Sequence, residues 1–270
     1  MRKHVLWVVF CYLVNSQAFA QGIECSSQHV RDSLFAVYSA RAQQYSFEGG
    51  ARSMTFDSLL SICPNISEAY QEKSKPYLAY GNYDRAFEQL DKAVSLDSAR
   101  WTAYRGYLHF LYSKNYEKAI VDLLAAEKMA PYGFIQDHSY AFFTGLSYMQ
   151  LGDYAKAEIY FGKDLAQQKR GEATNDIHYN SFFYRGMLSF VMKEYTEAED
   201  YFRKCLHLYE QHPMANYYLA MTLKIIGNSE RNTYFDKAQQ YLREGYKLNE
   251  PFSYVHFPFH ITLQDIQQNR

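Results

Sequence analysis

The chain has 270 residues, and 28 Lys and Arg against 29 Asp and Glu give it a formal net charge of -1. This balance excludes a nucleic-acid binder, which needs a basic surface to release counterions from phosphates. Hydrophobic residues make up 48% of the chain, so the composition is that of a globular protein, not of a disordered one. Aromatic residues reach 18%, with 27 Tyr and 19 Phe, whereas 13 Gly and 6 Pro are few for an all-β protein.

Residues 1–20 have the plan of a secretory signal peptide. A basic start at residues 2–4 precedes the apolar run Val5–Val14, and the segment ends in Ala18-Phe19-Ala20. A membrane-spanning helix needs about 20 apolar residues, and this run has about half of that. We expect cleavage before Gln21 and a mature chain that is soluble, exported, and periplasmic or extracellular.

Residues 21–64 are predicted to form an N-terminal capping hairpin. Ser27–Tyr45 carries apolar residues at helical spacing, and Thr55–Cys63 can form a second, short helix. In an antiparallel hairpin the start of the first helix lies beside the end of the second. Cys25 and Cys63 stand at these two places, so we predict a disulfide between them.

The remaining cysteines follow from export. Cys11 leaves with the signal peptide, and its use as a lipidated residue is disfavoured by the bulky Phe10 before it. Three cysteines are then left, so one intrachain pair is the maximum. We predict that Cys205 stays a free, buried packing thiol.

A pattern of apolar and small residues recurs five times between residues 65 and 250. Each copy has an aromatic residue three positions before an alanine, a large apolar residue four positions after it, and a small residue upstream. The aromatic and alanine pairs are Tyr83/Ala86, Tyr116/Ala119, Tyr154/Ala157, Tyr195/Ala198 and Phe235/Ala238. The large residues are Leu90, Leu123, Phe161, Phe202 and Leu242, and the small ones are Ser74, Gly106, Gly145, Gly186 and Ala220. This spacing predicts helical hairpins that bury their apolar faces only by stacking.

The pattern resembles the tetratricopeptide repeat (TPR) family. The strongest segments are Tyr77–Ala86 with Leu90 and Ala93, and Gly145-x-x-Tyr148 followed by Gly152-Asp153-Tyr154, Ala157 and Phe161. The resemblance implies an all-α, right-handed solenoid of about five TPR hairpins, with the capping hairpin before it and a short C-terminal tail, residues 251–270, after it. The repeats are predicted at Ser67–Arg100, Trp101–Pro131, His138–Lys169, Tyr179–His212 and Met214–Glu250. In the tail, Ile261–Gln268 is predicted to be a short helix.

Two features depart from the family pattern. The anchoring alanines lie 33, 38, 41 and 40 residues apart, whereas an ideal array repeats at about 34. The excess falls at 132–137, 170–178 and 228–234, so the usual curvature of the groove is in doubt. Asp164 and Gly245 also stand where the family prefers alanine.

The resemblance implies a partner-binding groove lined by the first helix of each repeat. Carried over by register, the groove residues are Tyr104, Tyr107, Phe142, Leu146, Met149, Phe183, Met187, Phe190, Tyr217 and Met221. Their aromatic and Met-rich character suits an apolar protein or peptide segment. Six of them are expected to be more exposed than the predicted core residues Tyr83, Tyr154 and Phe202, namely Phe142, Phe183, Met187, Phe190, Tyr217 and Met221. The chain's own tail or a second copy in a homodimer could equally cover the groove.

The sequence therefore favours an envelope protein-interaction scaffold or adaptor, without cofactor, metal or catalysis. Two alternatives stay open: a small-ligand or glycan receptor using exposed tyrosines, and, less favoured, a hydrolase with a His-based site. For the latter the candidates are the Asp137-His138 loop and the pair His256 and His260. Pro258 between the last two makes a helical metal-binding spacing unfavourable there.

Overall fold

The computed structural model describes residues 25–46, 50–169, 177–247 and 256–270. The predicted signal peptide, its cleavage point before Gln21 and most of the predicted 170–178 loop lie outside these residues. Within them the fold is all-α, apart from one two-stranded hairpin. No helix among the described residues is long and apolar enough to cross a membrane.

The helices follow one another as antiparallel pairs. The capping pair is α1 (Gln28–Ala42) and α2 (Gly50–Ile62). The five repeats are α3 (Ser67–Ala79) with α4 (Tyr83–Leu96), α5 (Ser98–Leu108) with α6 (Tyr116–Met129), α7 (Tyr140–Gln150) with α8 (Tyr154–Gln168), α9 (Tyr179–Val191) with α10 (Tyr195–Leu208), and α11 (Pro213–Ile225) with α12 (Arg231–Arg243). The tail ends in α13 (Leu263–Asn269). Five hairpins, a capping hairpin and a short tail make up the predicted solenoid.

Short polar residues and glycines set the helix boundaries. The side chains of Asn82, Asn115 and Asp153 each accept a hydrogen bond from the backbone N–H three residues on, which caps a second helix. Gly81 and Gly152 precede two of these caps with positive φ values of 72° and 77°, a conformation that glycine adopts without steric cost. The tight turn inside each of these hairpins is therefore encoded locally.

The recurring small residues lie where the two helices of a hairpin cross. A Cβ atom on Gly145 would meet the Phe161 ring at 3.0 Å, and one on Gly186 would meet the Phe202 ring at 2.8 Å. The anchoring alanines of all five repeats are fully buried, namely Ala86, Ala119, Ala157, Ala198 and Ala238. Small and large positions of the repeat thus fit into each other, as the spacing predicts.

The extra residues of the array are accommodated in three ways. One extra residue in the second repeat lengthens α5 into a π-helical segment, His109–Ser113, which absorbs a single insertion without breaking the helix. Before the third repeat, strands β1 (Phe134–Ile135) and β2 (His138–Ser139) pair antiparallel, Phe134 opposite Ser139. In the last repeat, α12 begins at Arg231 and takes up most of the excess.

Cys25 and Cys63 are placed as a bonded pair, with Cα atoms 5.6 Å apart. Cys205 is a buried free thiol on α10 whose pKa is raised by that burial. The thiolate form needed for redox chemistry is therefore disfavoured at Cys205.

Candidate functional site

The first helices of the repeats form one continuous surface, which we call the inner face. Helix α7 contacts α9, and α9 contacts α11, so neighbouring first helices pack against one another across the repeat boundary. The inner face therefore runs from α3 to α11 and is the surface on which the sequence analysis placed the groove.

Most of the predicted groove residues are buried, so the expectation that they are more exposed than Tyr83 and Tyr154 is wrong. Phe142, Leu146, Phe183 and Met187 have no exposed surface, and Tyr107, Met149 and Tyr217 are also buried. Tyr104, Phe190 and Met221 keep part of their surface. By contrast Tyr154 is 37% exposed.

Phe142 and Phe183 are buried because each packs between two repeats, one position before the residue that contacts the tail. Phe142 packs between Phe161 of its own hairpin and Tyr184 of the next repeat, with ring centroids 6.3 and 5.7 Å away. Phe183 likewise packs against Phe202 at 6.1 Å and Tyr218 at 6.2 Å. These positions join repeats to each other. The tail instead contacts the residues one position later.

Four of the predicted aromatic core residues are more exposed than expected. Tyr83, Tyr116, Tyr154 and Tyr195 are each the first residue of a second helix, at the turn of the hairpin, and each keeps part of its surface. Phe235, which lies inside α12 and not at its start, is fully buried. A position at the hairpin turn has neighbours on one side only, so these tyrosines are edge residues.

The C-terminal tail, residues 256–270, lies on the inner face. Its Phe257 is 3% exposed and contacts the rings of Phe110, Phe143 and Tyr184, with centroids 5.9, 6.3 and 6.3 Å away. Phe259 meets Tyr218 edge-on at 6.5 Å. One short segment therefore spans the first helices of repeats two to five.

Polar contacts hold the tail at both ends and in the middle. Lys114 donates to the carbonyl oxygen of His256, and the Tyr184 hydroxyl donates to that of Pro258 at 3.3 Å. At the far end, Lys224 donates to the carbonyl oxygen of Asn269 at 2.6 Å, and Arg270 pairs with Asp236 at 2.6 Å. The direction of the tail is thereby fixed, with His256 at the second repeat and Arg270 at the fifth.

The part of the inner face that the tail leaves uncovered is a cleft of about 1020 Å³ between the first two repeats. Its lining includes Tyr80, Tyr83, Tyr104 and Tyr112, and the tail residue His256 stands at its edge. The cleft is thus a tyrosine-rich surface, and Tyr104 is the predicted groove residue that it contains.

The cleft is neutral in character. Lys75 at its margin pairs with Glu72 at 2.5 Å, and Tyr104 accepts a hydrogen bond from Gln71 at 3.1 Å. Burial raises the pKa values of Tyr104 and Tyr112, so both hydroxyls stay protonated at neutral pH. His256, 4.5 Å from the Tyr112 ring, has a pKa lowered by burial and by Lys114 and His260. The neutral forms of all these rings are favoured.

His138, one of the histidines proposed for a hydrolytic site, lies in the hydrophobic core. His138 is 1% exposed and stacks on Phe142 at 4.0 Å, and burial lowers its pKa to about 4. The neighbouring Ser139 donates to buried Asp164 at 2.7 Å, which ties the start of α7 to α8. Among the described residues no group of three or more His, Cys, Asp or Glu side chains could hold a metal ion.

Part of the site was not found from the sequence. Three of its residues stand one position after predicted groove residues, namely Phe143, Tyr184 and Tyr218. Two others, Phe257 and Phe259, lie in the tail, which the sequence analysis named only as one of two segments that could cover the groove. The signal that could have found them is the Phe-Pro-Phe triplet at 257–259. Two large apolar rings so close together in a terminal segment need a surface to cover them.

Comparison with known proteins agrees with this architecture. A family model of the tetratricopeptide repeat matches residues 140–163, which are α7 and most of α8. A search of curated protein sequences found no match.

Three solved structures illustrate the likeness in fold. The structure of PilF from Pseudomonas aeruginosa has a TM-score of 0.61 at 20% identity and covers 89% of this chain and 97% of its own. PilW, described as a widely conserved type IV pilus biogenesis factor, has a TM-score of 0.64 at 16% identity over 89% and 100%. YrrB, described as a TPR protein with an unusual peptide-binding site, has a TM-score of 0.51 at 19% identity over 70% and 93%. The chain thus matches the tetratricopeptide repeat at residues 140–163 and shares the fold of these TPR structures.

Proposed function

We propose that this chain is an exported scaffold or adaptor that binds a protein segment in the cleft between its first two repeats. The observation that carries the proposal is the open, tyrosine-lined cleft of about 1020 Å³ on an inner face whose later repeats contact the tail. A set of large aromatic side chains left at the surface is typical of interaction sites, since such residues carry much of the binding energy in interfaces.

The chemistry of the cleft suits a polypeptide with apolar side chains. Tyrosine offers apolar area to a partner and a hydroxyl that can donate to, or accept from, a backbone. The cleft has few charges, and its Lys75 is already paired with Glu72. We therefore expect binding to depend only weakly on salt concentration.

The likeness to other TPR proteins supports a non-catalytic, protein-binding role. YrrB is described as a peptide-binding TPR protein and PilW as a pilus biogenesis factor, and these likenesses support the hypothesis of an assembly role in the cell envelope for this chain. Seven of the ten predicted groove residues are buried, so the proposal rests on the three that keep part of their surface. Tyr104 borders the cleft, whereas Phe190 and Met221 retain surface further along the inner face.

The test compares two tyrosine variants of the mature chain in a pull-down followed by mass spectrometry. Tyr83→Ala combined with Tyr112→Ala removes two facing rings of the cleft, whose centroids are 6.1 Å apart. Tyr154→Ala is the matched control, because Tyr154 occupies the same repeat position as Tyr83 outside the cleft. We expect a partner that the control and the wild type retain and the double variant loses. A partner retained equally by all three would overturn the cleft assignment.

Glycan or small-ligand binding is the second candidate, because a row of tyrosines can also stack on sugar rings. Glycan-array binding that the Tyr83→Ala/Tyr112→Ala variant loses, and the Tyr154→Ala control keeps, would favour this candidate over a protein partner. If no glycan binds, the glycan-receptor function is excluded and the adaptor proposal is left.

Export is tested separately. N-terminal sequencing of the native protein should return Gln21 as the first residue. A start at Met1 would contradict export, and an acylated start at Cys11 would replace a free protein by a lipid-anchored one.

A further inference from the structure

The tail covers the inner face with few anchors. Phe257, Ile261 and Ile266 are its buried apolar side chains, at 3%, 7% and 1% exposure, and Phe259 is half-buried. The remaining positions of α13 are largely exposed, and the helix has only seven residues. A helix of this length does not hold together by itself, so it depends on its contacts with the inner face.

The tail is bound in the manner of a peptide ligand. The Phe-Pro-Phe stretch bends the chain, with Phe259 at a positive φ of 68°, and it places two rings on the aromatic row of the first helices. The Tyr184 hydroxyl donates a hydrogen bond to the carbonyl oxygen of Pro258, and Lys114 donates one to that of His256. Donors on the array thus bind backbone oxygens of the tail, and most of its specificity lies in the two rings.

The polar contacts at the end of the tail come from exposed side chains. Lys224 and Arg270 are exposed, and the Arg270 and Asp236 side chains that form the ion pair are 43% and 59% exposed. Exposed ion pairs contribute little to stability. The tail is therefore held mainly by three buried side chains, which a competing segment with similar side chains can replace.

The two ends of the solenoid differ in this respect. The capping hairpin at the N-terminal end has the paired Cys25 and Cys63, whereas the described contacts that hold the tail are non-covalent. We propose that residues 256–270 are a displaceable internal ligand. They hold the inner face closed until a partner segment of the same chemistry, an aromatic–proline–aromatic stretch followed by a short amphipathic helix, takes their place.

The identity of that partner rests on the proposed adaptor function, whereas the internal-ligand state does not. The test therefore uses no partner. The probe is a fluorescently labelled synthetic peptide with the sequence of residues 256–270, and binding to the full mature chain is measured by anisotropy. Phe257→Ser combined with Ile261→Ser opens the tail, and Leu263→Ser, an exposed position of the same tail, is the control.

We expect the peptide to bind the opened double variant at least about tenfold more tightly than it binds the wild type or the Leu263→Ser control. The reason is that a site occupied by the tail for nine-tenths of the time has a tenfold weaker apparent affinity. A peptide that itself carries Phe257→Ser should not bind. Equal binding to all three chains, or none to a folded opened variant, would overturn the proposal.

A milder variant keeps the test valid if the double variant does not fold. Ile261→Val shortens one of the three buried side chains that hold the tail and leaves the helices of the array unchanged. The peptide should then bind this variant a few-fold more tightly than it binds the wild type, and no change would count against displacement.

Light scattering of the wild type should give the monomer mass, and a dimer that exchanges its tails would contradict an internal ligand. A positive peptide result with a negative pull-down would refute the adaptor function alone.

Discussion

The two halves of the inner face differ in their exposure to solvent. Over the first two repeats the face is open and its rings are tyrosines, including Tyr83, Tyr104 and Tyr112. Over the later repeats the face is covered, and phenylalanines are prominent in the contact, with Phe143 on the array and Phe257 and Phe259 on the tail. A tyrosine ring keeps one end hydrated when it is left uncovered, whereas a phenylalanine ring gains only from being buried. A tyrosine in the covered half needs a partner for its hydroxyl instead, as Tyr184 has in the carbonyl oxygen of Pro258.

Mutation of one ring in each half gives the largest contrast. Phe183 is fully buried between Phe202 and Tyr218, so Phe183→Ala should lower the free energy of unfolding by about 3–5 kcal/mol. Tyr83→Ala, at the rim of the open cleft, should change it by less than about 1 kcal/mol. Urea unfolding followed by circular dichroism measures both. If the two variants lose equal stability, the halves do not differ as described.

Removing the disulfide tests how much the covalent link stabilises the N-terminal end of the array. Cys25 and Cys63 close a loop of 38 residues. Such a cross-link stabilises by about 4 kcal/mol in the chain-entropy model, and about 2–4 kcal/mol is common. Replacing both cysteines by serine should cost that amount and lower the melting temperature. Peptide mapping without reductant should find Cys25 joined to Cys63, and Cys205 in that bond would contradict the pairing.

The fold was predictable from the sequence because each repeat carries its own signals. Turn glycines such as Gly81 and Gly152, caps such as Asp153, and the small–large pair Gly145 and Phe161 act within one hairpin. Five hairpins and a capping pair follow from these local rules. The sequence predicted a short helix in the tail as well, at 261–268, where the structure has Leu263–Asn269.

The site was less predictable because it depends on contacts between repeats. Phe142 and Phe143 are adjacent in sequence and both large, and only packing against Tyr184 of the next repeat makes Phe142 the buried joint. The cover by Phe257 involves partners more than a hundred residues away, such as Phe110 and Phe143. No periodicity within one repeat encodes that contact.

Acid should weaken the solenoid in both halves, because each contains a buried neutral histidine: in the second repeat, burial lowers the pKa of His109 to about 4. Burial lowers the pKa of His212 to about 3, and its Nδ1 accepts a hydrogen bond from the N–H of Ala215, which caps α11. The unfolded chain therefore binds more protons than the folded one below pH 6.5, so the stabilising contribution is complete above pH 6.5. It falls by up to about 1.4 kcal/mol per pH unit as pH drops from 6.5 towards the folded pKa. His138, with a pKa lowered to about 4, acts in the same direction.

The control for this acid effect is His212→Asn, because asparagine caps a helix without titrating in this range. Unfolding midpoints measured from pH 7 to pH 4.5 should fall less steeply in this variant than in the wild type. Buried Asp164, whose pKa is raised, offsets part of the loss, since its protonated form favours the folded state at low pH. Parallel pH profiles for the variant and the wild type would show that His212 does not titrate on unfolding.

The smallest expected effect comes from the single hydroxyl between the array and the tail. Tyr184→Phe keeps the buried ring beneath Phe257 and removes the hydrogen bond to the carbonyl oxygen of Pro258. A neutral hydrogen bond contributes about 0.5–1.5 kcal/mol, so the closed state of the tail should weaken by about that amount. Hydrogen exchange should then lose protection at α13 amides by about 2–13-fold, while exchange in α7 and α8 stays unchanged. Tyr148→Phe, on the same inner helices but stacked on Tyr160 at 5.5 Å, should leave α13 protection as it is. Loss of protection throughout the array in Tyr184→Phe would mean that the tail and the solenoid unfold as one unit, and the difference between the open and the covered half would then be structural and not regulatory.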